Sequence, residues 1–311
     1  MKREILYRQP TPYRQDFILE GFRFGSGEKS CAVVGGIRGN EVQQMYVCAK
    51  LIQALTEMEK RGTLLPGHEI LVIPCVNRYS MNVGKRFWPM DNTDINRMFP
   101  GYNKGETTQR IAAAVFDAVK GYHCGIHFAS FYLPGDFVPH VRIMDTGYQS
   151  SSLGNLFGLP YVVMRTPKPI DTTTLNYNWQ IWESNAFSLY TRETARIDEE
   201  SAAQAVSAVL RYLSRVGVVK YTCHNGYLST VINENDLATV LTPAGGIFRA
   251  LKAPGDEVKY GEIIGLILDP FTAEVSAEIT SSTSGLVFFA MEKPLVLQHE
   301  VAFKLIRRLH N

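Results

Sequence analysis

From residue 31 to residue 217 the chain alternates short apolar runs with segments whose apolar positions recur at helical spacing. Residues 31–34 form an apolar run that stops at Gly35 and Gly36. Val42, Met45, Ala49, Ile52 and Leu55 then follow the 3.6-residue period, and Gly62 ends that helix. Asn40 followed by Gln43 has the form of a capping box. This places Arg38 in the loop at a strand's carboxyl end and Glu41 in the first helical turn. Residues 69–75 are almost continuously apolar, the pattern of a strand covered on both faces. Thr107–Val119 returns to helix, with Ile111, Ala114, Val115 and Val119 on one side. Glu199–Arg215 is a helix carrying Ala202, Ala205, Val206, Val209, Leu210 and Leu213, with Gly217 as its stop. Strands are expected at 121–128, 138–143, 161–164 and 187–191. Residues 1–30 read as an irregular lead-in with one or two strands near 17–24. The polar stretch 77–104 is long for a connection without structure of its own, and such loops are more often functional than idle. The alternation predicts an α/β fold, a mostly parallel or mixed sheet between helices.

Beyond about residue 220 the helical period disappears. Short strand-like runs are separated by turn signals such as Pro243-Ala244-Gly245-Gly246, Pro254-Gly255-Asp256 and Asp269-Pro270. The expected division is an α/β domain over 1–220 and an all-β domain over 221–311.

Composition narrows the function classes. The 311 residues are 45% hydrophobic and 20% charged, with a formal net charge of +2, which gives no argument for a nucleic-acid partner. The start, Met-Lys-Arg-Glu-Ile, lacks the apolar stretch of a signal peptide, and no window reaches the roughly 18 apolar residues of a membrane span. Five cysteines without paired spacing suit a reducing cytoplasm better than a disulfide framework. The expectation is a cytoplasmic protein with no membrane and no nucleic-acid partner.

Four stretches set polar residues beside strand ends or glycines. They are Arg38-Gly39-Asn40-Glu41; the loop from Asn77 through Gly84-Lys85-Arg86-Phe87-Trp88-Pro89 to Asp94-Ile95-Asn96-Arg97-Met98-Phe99-Pro100-Gly101; His123-Cys124-Gly125-Ile126-His127; and Thr191-Arg192-Glu193. Singly, each is as compatible with a solvated turn or a structural side chain as with a site.

In this order the four resemble the succinylglutamate desuccinylase and aspartoacylase family, relatives of the zinc carboxypeptidases. The resemblance covers nearly the whole chain. It implies a carboxypeptidase-like mixed sheet between helices, followed by a C-terminal β domain similar to the biotinyl/lipoyl fold. Without a modifiable lysine at a tight turn, that domain is not expected to be a carrier. The family's Gly-x-His-Gly-Asn-Glu turn is matched by residues 36–41, and the loop of 77–101 is the most specific match. The resemblance implies one zinc ion with Glu41 and His127 among its ligands, and Glu193 as general base. It also implies Arg86 as the cation that stabilises the developing oxyanion, and Asn77, Asn96 and Arg97 on the substrate, Asn96 and Arg97 at its carboxylate. Zinc with three protein ligands lowers the pKa of a bound water toward about 7. A carboxylate can then relay that water's proton to the leaving amine. The substrate class implied is a small acylated amino acid or amine.

Two positions depart from the family's pattern. Arg38 stands where the family has the first ligand His, and a guanidinium has no lone pair to give. At 4 Å and an effective dielectric near 20 it would repel a divalent ion by about 8 kcal/mol. Gly125 stands where the family has Asp, which as an orienting partner of the ligand His would support metal affinity. His123 and His127, four residues apart on a strand, would lie about 13 Å apart on one face, too far to share an ion, and Cys124 would face the other way. Either could serve only off a strand. Arg38 either pairs with Glu41 in the vacated metal position or swings to solvent and leaves zinc on two ligands. Two functions follow. One is a zinc-dependent hydrolase of the amide bond of a small N-acyl amino acid, with an atypical metal site. The other is a catalytically silent homologue that binds a carboxylate ligand or supports an active partner subunit. A homo-oligomer and a heteromer with an active homologue are both compatible with the resemblance. Residues 128–134 and 176–182, rich in aromatics, are candidates for the pocket wall or for packing.

Overall fold

A computed structural model describes residues 1–12, 15–192, 194 and 196–308. They divide into two compact units, one of residues 1–130 and 140–231, the other of residues 131–139 and 232–311.

The first unit is built on a mixed sheet. Its strands are β1 (Lys2–Gln9), β2 (Phe17–Gly25), β3 (Gly27–Val34), β4 (Gly67–Ile73) and β5 (Cys124–Phe128). They are followed, after the short β6 (Gly135–Phe137) of the second unit, by β7 (His140–Met144), β8 (Tyr161–Arg165), β9 (Asn185–Tyr190) and β10 (Thr230–Asn233). The order across the sheet is β1-β2-β4-β3-β5-β9-β7-β8-β10. β3 runs parallel to β4 and β5, and β5 parallel to β9, whereas β7 is antiparallel to β9. β1 escaped the sequence pattern because it is an edge strand. Its residues Lys2, Arg3, Glu4 and Arg8 carry charge along an unburied row, the usual protection of a free sheet edge.

Helices cover both faces: α1 (Val42–Lys60), α2 (Arg78–Asn82), α3 (Thr107–Val119), α4 (Leu175–Ile181) and α5 (Glu199–Arg215). One core joins Val47, Leu51 and Leu55 of α1 and Val209 and Leu213 of α5 to Cys124, Ile126 and Phe128 of β5. The other joins Ile111 and Val115 of α3 and Leu175 and Trp179 of α4 to Ala32 and Val34 of β3. Alternate residues of β5 therefore divide between the faces, which leaves Gly125 and His127 on the side of α3 and α4. The loop 77–104 is not structureless: it contains α2 and a 3₁₀ turn at Ile95–Arg97. The aromatic stretch 176–182 lies mostly within α4.

The second unit is all β. One sheet orders β11 (Ala238–Leu241), β18 (Val301–Arg307), β16 (Gly285–Met291) and β13 (Glu257–Val258), with β6 pairing to β16. The other orders β15 (Val275–Thr280), β14 (Ile263–Leu268), β12 (Gly246–Ala250) and β17 (Leu295–Val296). Every pairing in it is antiparallel. Among the described residues, no helix is long and apolar enough to cross a membrane.

Candidate functional site

β3 delivers the chain into the turn of residues 35–41 at its carboxyl end, the edge at which open α/β sheets bind ligands. Two glycines permit the turn's tight seating. A Cβ on Gly36, which has φ +54°, would come 3.0 Å from Cys75 Cα. One on Gly39 would come 2.2 Å from the Lys85 carbonyl oxygen. The Gly39 amide donates to the Arg86 carbonyl at 2.9 Å, so the turn and the Arg86 loop are held as one piece.

The cap of α1 differs from the capping-box expectation. Glu41, not Asn40, is the N-cap residue. The Gln43 side chain donates to the Asp198 carbonyl at 2.8 Å and to Ser201 Oγ at 2.9 Å, and accepts from the Asp198 amide at 3.0 Å. Its own amide donates to the Thr194 carbonyl at 3.1 Å. Gln43 therefore fastens the segment after Thr191 to the start of α1. Asn40 accepts from Arg86 Nη1 at 3.3 Å.

Glu41 has no accessible surface, and its carboxylate is engaged on both oxygens. Oε2 accepts from the Arg38 amide at 3.0 Å. Oε1 accepts from Ser130 Oγ at 2.5 Å and from Arg38 Nη1 at 3.4 Å. The other side of the guanidinium faces Asp94: Nε lies 3.2 Å from each carboxylate oxygen and Nη2 lies 2.8 Å from Oδ2. Burial disfavours the charge on Arg38, but Asp94 and Glu41 together hold it above its ordinary pKa. Asp94 Oδ1 also accepts from the Asn96 amide at 3.0 Å, capping the 3₁₀ turn.

His127 lies in a row of register partners, Val34 on β3, His127 on β5, Ser188 on β9 and Arg142 on β7. Burial pushes its imidazole down to about 4, with Glu41 opposing that shift. Its Nε2 is buried and has no hydrogen-bond partner among the described residues. Beside the ring stands the amide of Asn176, whose Nδ2 donates to Ser188 Oγ at 2.8 Å. Two residues earlier on the same face, Gly125 lies against Trp179: a Cβ there would come 2.4 Å from the indole Cδ2.

The other expected site residues fall into two groups. Arg86 is brought to the turn; burial first, then the nearby Arg38 charge, lowers its pKa. Its hydrogen bond to Asn40 is its single side-chain bond among the described residues. Asn77 is also placed below the turn. Its Oδ1 caps α2 by accepting from the Ser80 amide at 3.2 Å, and its buried Nδ2 has no hydrogen-bond partner among the described residues. Asn96 and Arg97 are engaged structurally. Asn96 Oδ1 accepts from the Leu175 amide at 3.2 Å, and Arg97 Nη1 donates to the Ile170 carbonyl at 2.7 Å and to Asp171 at 3.4 Å. Glu193 lies outside the described residues. His123 stands just before β5, exposed, with Nε2 2.7 Å from Glu28, and so takes no part. Cys124 is buried on the opposite face, against Cys31. Asp94 lay within the quoted loop motif, Ser130 within the stretch 128–134, and Asn176 and Trp179 within 176–182, but the sequence assigned none of the four a role of its own.

Among the described residues, the groups at this turn do not fit a zinc ion: both oxygens of Glu41 are in use, His127 Nε2 is one open nitrogen, and the Arg38 guanidinium lies between Glu41 and Asp94. Among the described residues, no group of three or more His, Cys, Asp or Glu side chains is placed to hold a metal.

The fold and this edge define a class, an α/β catalytic-type domain followed by antiparallel β sheets. Residues 28–216 match the succinylglutamate desuccinylase/aspartoacylase catalytic domain, and the chain belongs to that family, whose members are deacylases typically dependent on zinc. The N-alpha-acetyl-L-2,4-diaminobutyric acid deacetylase of Halomonas elongata is 27% identical over 152 residues. That match spans 44% of this chain and 41% of the deacetylase. A succinylglutamate desuccinylase from Silicibacter sp. TM1040 superposes with a TM-score of 0.83 at 17% identity, covering 98% of this chain and 94% of the other. The product-bound ectoine utilization protein EutE (DoeB) of Ruegeria pomeroyi superposes with a TM-score of 0.79 at 18% identity, covering 96% and 93%. At these identities the two superpositions speak for the fold alone.

Proposed function

We propose that this chain recognises a small acylated amino acid or acylated amine at the Arg38 turn and does so without zinc, as a non-hydrolytic homologue of the family's deacylases. The observation that carries this reading is the guanidinium of Arg38 between Glu41 and Asp94. A metal entering there would have to displace a buried cation from two carboxylates. The substrate class follows the family and the diaminobutyric acid deacetylase it resembles. Arg86 is the cation best placed for the ligand's carboxylate, because among the described residues no carboxylate pairs with it and its guanidinium meets only Asn40, by a hydrogen bond, and the Phe87 ring. Asn77 Nδ2 and His127 Nε2, both buried and without a hydrogen-bond partner among the described residues, are groups left for the ligand's amide.

One observation favours the alternative, a zinc-dependent amidohydrolase with Glu193 as general base. The same His127 Nε2 is a lone pair or proton with nothing to meet. Protein purified with chelator decides between the two. The expected result is no bound zinc, binding of N-alpha-acetyl-L-2,4-diaminobutyrate or another N-acyl amino acid by calorimetry, at least tenfold weaker binding in Arg86→Ala, and no released amine. One zinc per chain with turnover that vanishes in Glu193→Ala overturns it.

A further inference from the structure

Gly125 and Trp179 add a second obstacle to metal binding, independent of Arg38. An imidazole that ligates a metal almost always donates its other N–H to a carboxylate, a carbonyl or water, and losing such a partner costs roughly 10–100-fold in affinity. On β5 the place for a side chain behind His127 is position 125, and there the indole of Trp179 lies 2.4–2.7 Å from where a Cβ would sit. Trp179 has no accessible surface, and its Nε1 donates to the Val119 carbonyl at 3.3 Å. Its helix is pinned at the start, where Asn96 Oδ1 takes the Leu175 amide and Thr174 Oγ1 takes the Tyr177 amide. The space cannot be vacated by a rotamer change alone. On the same helix, the Asn176 amide donates to Ser188 Oγ at 2.8 Å, and Ser188 is the register partner of His127 on β9, so a neutral amide lies next to the imidazole; its Oδ1 is buried and has no hydrogen-bond partner among the described residues.

We infer that Gly125, Trp179 and Asn176 form a positioning group that withholds a carboxylate from His127, so that the metal position is closed at two separate places and returning a His at position 38 does not by itself reopen it. This rests on the zinc-free reading above, and it makes a separate demand. A site that had merely lost one ligand would regain tight zinc binding on replacing that ligand; this one would regain it only weakly.

The test is zinc titration of the full chain against a competing chelator, with thermal melts to establish folding. Arg38→His alone is expected to bind zinc weakly. Arg38→His with Asn176→Asp, which adds a carboxylate in nearly the same shape, is expected to bind 10–100-fold more tightly. Arg38→His with Gly125→Asp and Trp179→Leu should gain similarly where it folds; the Asn176→Asp pair decides the question if it does not. Equal zinc affinity in Arg38→His and Arg38→His/Asn176→Asp overturns the inference. One tightly held zinc in the wild type overturns both it and the zinc-free reading. Failure of every acyl amino acid to bind, with the zinc results as expected, overturns only the ligand assignment.

Discussion

The Arg38 guanidinium meets Asp94 side-on, through Nε and Nη2, and reaches Glu41 through the longer Nη1 contact of 3.4 Å, beside the 3.0 Å hydrogen bond from the Arg38 amide. The stronger partner is therefore the one 56 residues away, on the loop that also carries Arg86 and Asn96. Removing the guanidinium leaves two carboxylates facing each other, one of them fully buried. Arg38→Ala is expected to lower stability by about 3–5 kcal/mol, the range for breaking a buried pair from one side. Urea denaturation measures it, and a loss below about 1 kcal/mol would mean that water already serves both acids.

Gly39 fits where no side chain can. Gly39→Ala would push a methyl group into the Lys85 carbonyl and Ser80, at 2.2 and 2.4 Å. The expected cost is about 1–3 kcal/mol of overpacking. Because the Gly39 amide holds the Arg86 carbonyl, ligand affinity should fall along with stability. Calorimetry and thermal melting of one protein preparation would reveal whether the two move together.

Trp179 fills the space over Gly125 and anchors the core beneath α4. Trp179→Ala is expected to cost about 3–5 kcal/mol, as large-to-small substitutions of buried aromatics do. Adding Gly125→Ala to it should be better tolerated than Gly125→Ala in the wild-type background, since the clash lies with the indole. A double-mutant cycle reads that coupling directly.

Asp171 is buried, which alone would raise its pKa, but the Lys168 amide and then Arg165 and Arg97 bring it below the ordinary value. A carboxylate held low in the folded state contributes stability that is complete above its unfolded pKa of about 3.9 and is lost as pH falls through the lower folded value. The melting-temperature gap between wild type and Asp171→Asn should therefore be widest near neutrality and close as pH drops below about 4. A gap unchanged with pH would assign the stabilisation to shape rather than charge.

The long amphipathic helices were legible to the residue: Thr107–Val119 and Glu199–Arg215 begin and end where their periods do. The family motifs named the Arg38 turn, Arg86, Asn77 and His127, and the fold brings these residues to one end of the sheet. What escaped depended on partners distant in sequence. Gln43 sits three residues after Asn40 and satisfies the capping-box pattern, yet its amide is consumed by Asp198, 155 residues on. The motif offers Asn96 and Arg97 as ligand groups; it could not show that Asn96 Oδ1 also takes the Leu175 amide and that Arg97 Nη1 also donates to Ile170 and Asp171. The contact of Trp179 with Gly125 requires knowing that α4 lies across β5, which no local pattern states. β1 was missed because a charged edge strand has little of the alternation that identifies an interior one.

Gln43 ties Thr194 and Asp198 to the helix start that immediately follows Glu41. The turn after β3 and the segment after β9 thus share a mechanical joint at this glutamine. A substitution at Gln43 would uncouple them. Selection on the ligand would then be felt at a glutamine that a survey of pocket residues would pass over.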